Sequence, residues 1–146
     1  MIVVLQRVTQ ASVEVDDRRA ASIGKGMLLL VGLEKGDTDS SLEAAVRKIA
    51  GLRIFDDAQG KMNVAIADTG GEILCVSQFT LAADIRRGNR PSFDDAMPPG
   101  EAAPMFEKFV ELLKAGGRTV KTGVFGAHMQ VSLINDGPVT LVCHFQ

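Results

Sequence analysis

A chain of 146 residues, 46% of them apolar, fits the size of one domain and carries enough apolar material for a real core. Its formal charge of −2 does not exclude RNA, because a local basic patch can grip the end of one. No apolar run approaches the roughly 18 residues that cross a bilayer, so no membrane partner is expected.

Met1-Ile2-Val3-Val4-Leu5 is apolar but has no basic leader and is cut short by Gln6-Arg7. It reads as a first strand, not a signal peptide, and the protein is expected in the cytoplasm. Ile2–Leu5 and Ala11–Val15 are two short strand candidates, with Arg7 between them as a candidate surface charge. Asp16-Asp17-Arg18-Arg19 is a solvated turn whose charges cancel. Gly24 and Gly26 punctuate the chain before Met27–Val31, a continuous apolar run of the kind that forms a fully buried strand. The glycine pair precedes a strand, so it is no dinucleotide-binding fingerprint.

Ser40 with Glu43 fits a capping box. Leu42, Ala45, Val46 and Ile49 follow at helical spacing, which predicts a helix from Ser41 to about Ala50. Arg53-Ile54-Phe55 reads as a short strand, Asp56–Gly60 as a turn and Val64–Ala67 as a weak apolar segment.

Glu72–Leu81 is the most informative stretch. Ile73-Leu74-Cys75-Val76 predicts a buried strand, and then Ser77, Gln78 and Thr80 interrupt the apolar run around Phe79. Such a strand either delivers backbone and hydroxyl groups to a site or simply reaches the surface. Spacing leaves both readings open. Ala82–Gly100 is a long loop carrying Arg86, Arg87 and Arg90, the densest positive cluster in the chain. A second helix is expected over Glu101–Ala115, ended by Gly116-Gly117. Strands return at Thr119–Thr122, Met129–Ile134 and Val139–Phe145, the last two joined by an Asn135-Asp136-Gly137 hairpin corner. The pattern predicts an α+β fold with two main helices over sheet.

Side-chain catalysts are scarce. Ser77 and Thr80 lie in no nucleophile elbow, and Asp56-Asp57 and Asp94-Asp95 read as solvated turn residues. Cys75 and Cys143 sit in apolar runs and are expected as two buried thiols, with a disulfide or metal pair as the alternative. No metal-binding Cys/His spacing is present, His144 would face away from Cys143 on a strand, and His128 stands alone beside Met129. No metal and no cofactor are expected. By residues alone, this scarcity favours a binding module over an enzyme.

Ser77-Gln78-Phe79-Thr80-Leu81 and Asn135-Asp136-Gly137-Pro138-Val139-Thr140 resemble the two signatures of the D-aminoacyl-tRNA deacylase family. Gln6-Arg7-Val8-Thr9, Ala11-Ser12-Val13, Arg53-Ile54-Phe55, Lys61-Met62-Asn63 and Arg90-Pro91-Ser92-Phe93 match in the same order. The resemblance spans nearly the whole chain. It implies a single domain over residues 1–146, built of two packed mixed β-sheets in a barrel-like arrangement. It implies an ester hydrolase that frees a D-amino acid from the acceptor end of tRNA, with main-chain groups around Phe79 and Thr80 holding the ester carbonyl. Ser77 and Gln78 complete that catalytic segment, and Thr80 as a nucleophile is the alternative. It assigns chiral selection to a cis Gly137-Pro138 element anchored by Arg7, with Met129 and Asn135 beside it. It further implies a homodimer in which that element enters the partner's active site. Arg86, Arg87 and Arg90 are the candidates for gripping tRNA. A non-catalytic aminoacyl-tRNA or nucleotide-binding module and an L-specific editing domain are the competing readings.

Overall fold

The computed structural model describes residues 1–146. Its longest early element, β1 (Ile2–Val15), is one strand where the sequence predicts two. The polar residues between the expected strands do not break it, because a partner strand runs along its whole length. β3 (Gly26–Gly32) pairs with its first half and β2 (Arg18–Ile23) with its second, both antiparallel. β2 went unread because Arg18-Arg19-Ala20-Ala21-Ser22 has no apolar alternation. It is exposed or half-buried along most of its length.

β6 (Glu72–Ser77) lies parallel to β3 and is flanked by β7 (Val120–Thr122), also parallel. The sheet order is β2-β1-β3-β6-β7, with β8 (Gln130–His144) on the other side of β1. Both faces of the central strands are buried, which explains their unbroken apolar sequence. Met27, Leu29, Ile73 and Cys75 pack toward α1 (Asp39–Gly51) and α2 (Pro99–Ala115). Leu28, Leu74 and Val76 face the opposite way, into a smaller core closed by Val8, Ala11, Val13 and Ile23. Each fully buried leucine contributes about 1.5–3 kcal/mol relative to exposure.

α1 starts two residues earlier than its expected capping box would place it. Thr38, not Ser40, is the N-cap, and its N–H donates to Ser41 Oγ at 3.3 Å. α2 starts at Pro99, a position where the missing N–H costs nothing. The second, smaller sheet is the antiparallel pair β4 (Phe55–Asp56) and β5 (Met62–Val64). Only Phe55 of the expected Arg53–Phe55 strand belongs to it. The fold class read from the sequence, α+β and barrel-like with two main helices, is the one observed.

The expected hairpin at Asn135–Gly137 does not form. β8 runs on through it, paired to β1 on both sides: Asn135 opposite Val8, and Thr140 opposite Gln6. Asp136, Gly137, Pro138 and Val139 therefore stand opposite Arg7 alone and bulge from the ladder. The Gly137-Pro138 bond within this bulge is cis.

Candidate active site

β6 ends at Ser77, opposite Val31, and Gln78 N–H makes one further bond to the Val31 carbonyl at 2.7 Å. The chain then tightens into a 3₁₀ turn over Phe79–Ala82. This turn sits directly on Gly32. A Cβ there would lie 2.9 Å from Leu81 Cβ and 3.0 Å from the Gln78 carbonyl, so only glycine admits the turn without displacement. The amides of Leu81 and Ala83 are bonded to the Gln78 and Thr80 carbonyls. Those of Phe79 and Thr80, the first two of the turn, have no acceptor within it, as at any helix start. Two leading N–H donors thus stand side by side at the end of a rigid core strand.

They border a cavity of about 680 Å³. Ser77, Gln78, Phe79 and Thr80 line it from one side, Met129 and Phe125 from another, and the first turn of α2 from a third. Phe79 and Phe93 meet edge to face at its mouth, with ring centroids 5.1 Å apart. Thr80 Oγ1 accepts a hydrogen bond from Gln78 Nε2 at 3.2 Å. An amide nitrogen cannot take a proton from that hydroxyl. The only ionisable side chains in the lining are Lys35 and Asp94, and neither is bonded to Thr80. The cavity can therefore offer main-chain donors to a developing oxyanion but no base-activated nucleophile.

The other expected residues lie elsewhere on the chain. Arg7 is buried, which removes the surface-charge alternative and agrees with the anchoring role that the resemblance implies. Its Nε donates to the Asp136 carbonyl at 2.7 Å, and one terminal nitrogen donates to the Ile54 carbonyl at 2.8 Å and to Asp56 Oδ1 at 3.2 Å. Asp56 is thus a partner of Arg7 and not a free turn carboxylate. Asn135 spans the bulge: its Oδ1 accepts the Val139 N–H at 2.8 Å, and its Nδ2 donates to the Val139 carbonyl at 3.2 Å and Thr140 Oγ1 at 3.0 Å. These bonds replace the ladder that the bulge interrupts. Gly137 has φ +155°, and a Cβ on it would lie 2.6 Å from the Val139 nitrogen. Gly137 and Pro138 are exposed, and neither lines the cavity of their own chain. Within one chain, then, Met129 joins the Ser77–Thr80 segment, whereas Arg7, Asn135, Gly137 and Pro138 form a separate corner.

The arginine cluster is also apart from the cavity lining. Arg86 is bonded to Asp84 through Nε at 2.9 Å and a terminal nitrogen at 2.7 Å. The guanidinium, with help from the Arg86 amide, holds the Asp84 carboxyl down at about 2. Arg87 and Arg90 are exposed and make no ion pair. Burial pushes the Cys75 thiol far up and raises that of half-buried Cys143. Nowhere do three His, Cys, Asp or Glu side chains gather as metal ligands. No helix is long and apolar enough to cross a membrane. Sequence reasoning missed Lys35 and Phe125 as lining residues. Phe93 was visible only as the end of a matched motif, because an exposed loop gives no periodic signal.

The family model described as D-Tyr-tRNA(Tyr) deacylase matches residues 4–144. The D-aminoacyl-tRNA deacylase of Thermomicrobium roseum is 57% identical over 141 residues, covering 97% of this chain and 92% of that protein. That of Thermodesulfovibrio yellowstonii is 51% identical over 142 residues, covering 97% of each. Among solved structures, the c-Myc DNA Unwinding Element Binding Protein superposes with a TM-score of 0.94 at 45% identity, over 99% of this chain and 98% of that one. A probable eukaryotic D-amino acid tRNA deacylase shares the fold, with a TM-score of 0.80 at 18% identity over 97% of each chain. The class so defined is that of hydrolases acting on aminoacyl-tRNA. Within that class, the chain belongs to the D-Tyr-tRNA(Tyr) deacylase family.

Proposed function

We propose that this protein hydrolyses the ester of D-aminoacyl-tRNA, releasing a free D-amino acid and tRNA. The observation that carries the reading is the pair of leading amides of the turn, Phe79 and Thr80, at a cavity in which no side-chain base is bonded to Thr80. An ester is activated already, so donors aimed at the oxyanion can supply much of the acceleration. Each such donor is worth about 2.7–4 kcal/mol. Water attacks the ester carbon, the carbonyl electrons collect on the oxygen beside the two amides, and collapse breaks the ester C–O bond, the ribose oxygen leaving as a hydroxyl with the proton that the water gives up. The neighbouring ribose hydroxyl helps to position the water.

The reading extends to a homodimer in which Gly137-Pro138 of a second copy completes the cavity. Two features support it: the corner is exposed and absent from its own cavity, and β8 carries exposed Ile134 and Val142 while pairing only with β1. Held there by Arg7 and Asn135, main-chain atoms of the corner would occupy the space into which an L side chain projects. Rejection is then steric, and glycine, having no side chain, escapes it. A tRNA substrate fits the cytoplasmic location expected from the sequence. The test is single-turnover release of D-tyrosine and L-tyrosine from charged tRNA. Rapid release of the D form alone is expected, and equal release or none contradicts the proposal.

A further inference from the structure

Lys35 stands on the turn that follows β3, and it is the only cation in the cavity lining. Its backbone is fixed: the Lys35 N–H donates to the Asp95 carbonyl at 2.9 Å, and a bridge joins Glu34 to Ala96. Its side chain is exposed and unpaired, making no ion pair and no hydrogen bond. The carboxylates nearest in sequence are already engaged. Glu34 and Asp37 take the Met1 ammonium at 2.8 Å and 2.6 Å. Asp94 also lines the cavity, but its carboxylate is not within ion-pairing distance of Lys35. A rigidly based lysine without a partner, beside an apolar cavity with two leading amides, is arranged to meet an anion arriving with the ligand.

We infer that Lys35 binds a phosphodiester of the tRNA acceptor end, the one adjoining the esterified nucleoside. The inference rests on the reading of the cavity as the ester site. That phosphate is the closest negative charge to the scissile bond, because the nucleoside and the aminoacyl group are themselves uncharged or cationic. A lysine suits this task, since its compact ammonium is a point charge with rotatable donors that needs no planar, bidentate acceptor. Arg86 is a poorer candidate, its charge being paired with Asp84 through two hydrogen bonds and its position outside the cavity. Lys35 thereby becomes a positioning residue that sets the register of the acceptor end against the Phe79 and Thr80 amides. It touches no reacting atom.

The experiment compares D-tyrosyl-tRNA with 2′(3′)-O-D-tyrosyl-adenosine, which carries the same ester and no phosphate. Lys35→Ala should lose roughly tenfold in kcat/KM on the tRNA, as expected for one charge-assisted contact, and less than twofold on the adenosine ester. The plot of log kcat/KM against log salt on tRNA should become shallower by about 0.7, the value for one phosphate of a single strand. Lys35→Arg should recover most of the loss, since it keeps the charge. Equal losses on both substrates, or no loss on either, overturns the inference, as does an unchanged salt slope. Wild-type protein inactive on both esters would sink the hydrolase reading and this inference with it. That result is distinguishable, because it does not depend on residue 35. Lys35 is exposed, so an unchanged thermal midpoint should accompany each variant.

Discussion

At the scale of single residues, Thr80 decides between two chemistries. Its hydroxyl is held by Gln78 Nε2 at 3.2 Å and faces no group able to accept its proton. A net contribution of about 0.5–1.5 kcal/mol is typical of such a bond. Thr80→Ala should therefore lower kcat by no more than about tenfold and leave the fold intact, as measured by single-turnover hydrolysis and circular dichroism. A loss of thousands-fold, or an acyl group trapped on Thr80, would make it the nucleophile instead. The two main-chain donors lay beyond sequence reading in detail, since an amide carries no side-chain identity. What was legible was the change from Val76 to Ser77 and Gln78, where a core strand turns polar. The anchoring role of Arg7 came only from the resemblance, since by spacing alone one arginine between strand residues reads equally well as a surface charge. The bulge opposite it supplies the Asp136 carbonyl that Arg7 bonds.

Among the elements, β6, α2 and the two halves of β8 were readable because burial and helical or strand spacing leave a periodic signature, whereas the continuity of β8 through its bulge was not. Asn135-Asp136-Gly137 has hairpin chemistry, yet the long uninterrupted partner β1 keeps the chain extended, and Asn135 supplies the bonds that the ladder lacks. Tertiary pairing thus overrides local turn preference. The 84–92 loop carries a pH dependence of its own. Its ends meet in the Asp84–Ser92 bridge, and the Arg86 guanidinium holds the Asp84 carboxyl at about 2. A carboxylate depressed in the folded state stabilises the loop above its ordinary value near 3.9 and loses that effect as pH falls toward about 2. Amide exchange in residues 84–92 should therefore accelerate between about pH 4 and pH 2. In Asp84→Asn that acid-dependent step should disappear. If the variant keeps it, another group controls the loop.

For the whole molecule, the division of the expected site into two separate parts is the central feature. The Ser77–Thr80 cavity and the Gly137-Pro138 corner belong to one chain but not to one cavity. The proposed dimer, in which the two copies exchange corners, would bring them together. Mixing a Thr80 variant with a Gly137/Pro138 variant should then restore one intact composite site per mixed dimer, seen as recovered D-selective hydrolysis above that of either parent. Recovery that is absent despite verified heterodimers would mean each site is built within one chain. Sequence could announce both motifs but not this geometry, because distance between them is a property of the packed strands.

The most direct measurement compares D-alanyl, L-alanyl and glycyl esters on one tRNA body under single-turnover conditions. A filter that works by steric exclusion senses only a side chain projecting in the L direction. Contacts to a missing methyl are worth only about 1–3 kcal/mol, too little to exclude glycine by lack of fit. Glycyl-tRNA should accordingly be hydrolysed at a rate much nearer to the D-alanyl than to the L-alanyl ester. If glycine is spared as the L substrate is, the protein must recognise the D side chain positively, and exclusion by the Gly137-Pro138 corner is wrong.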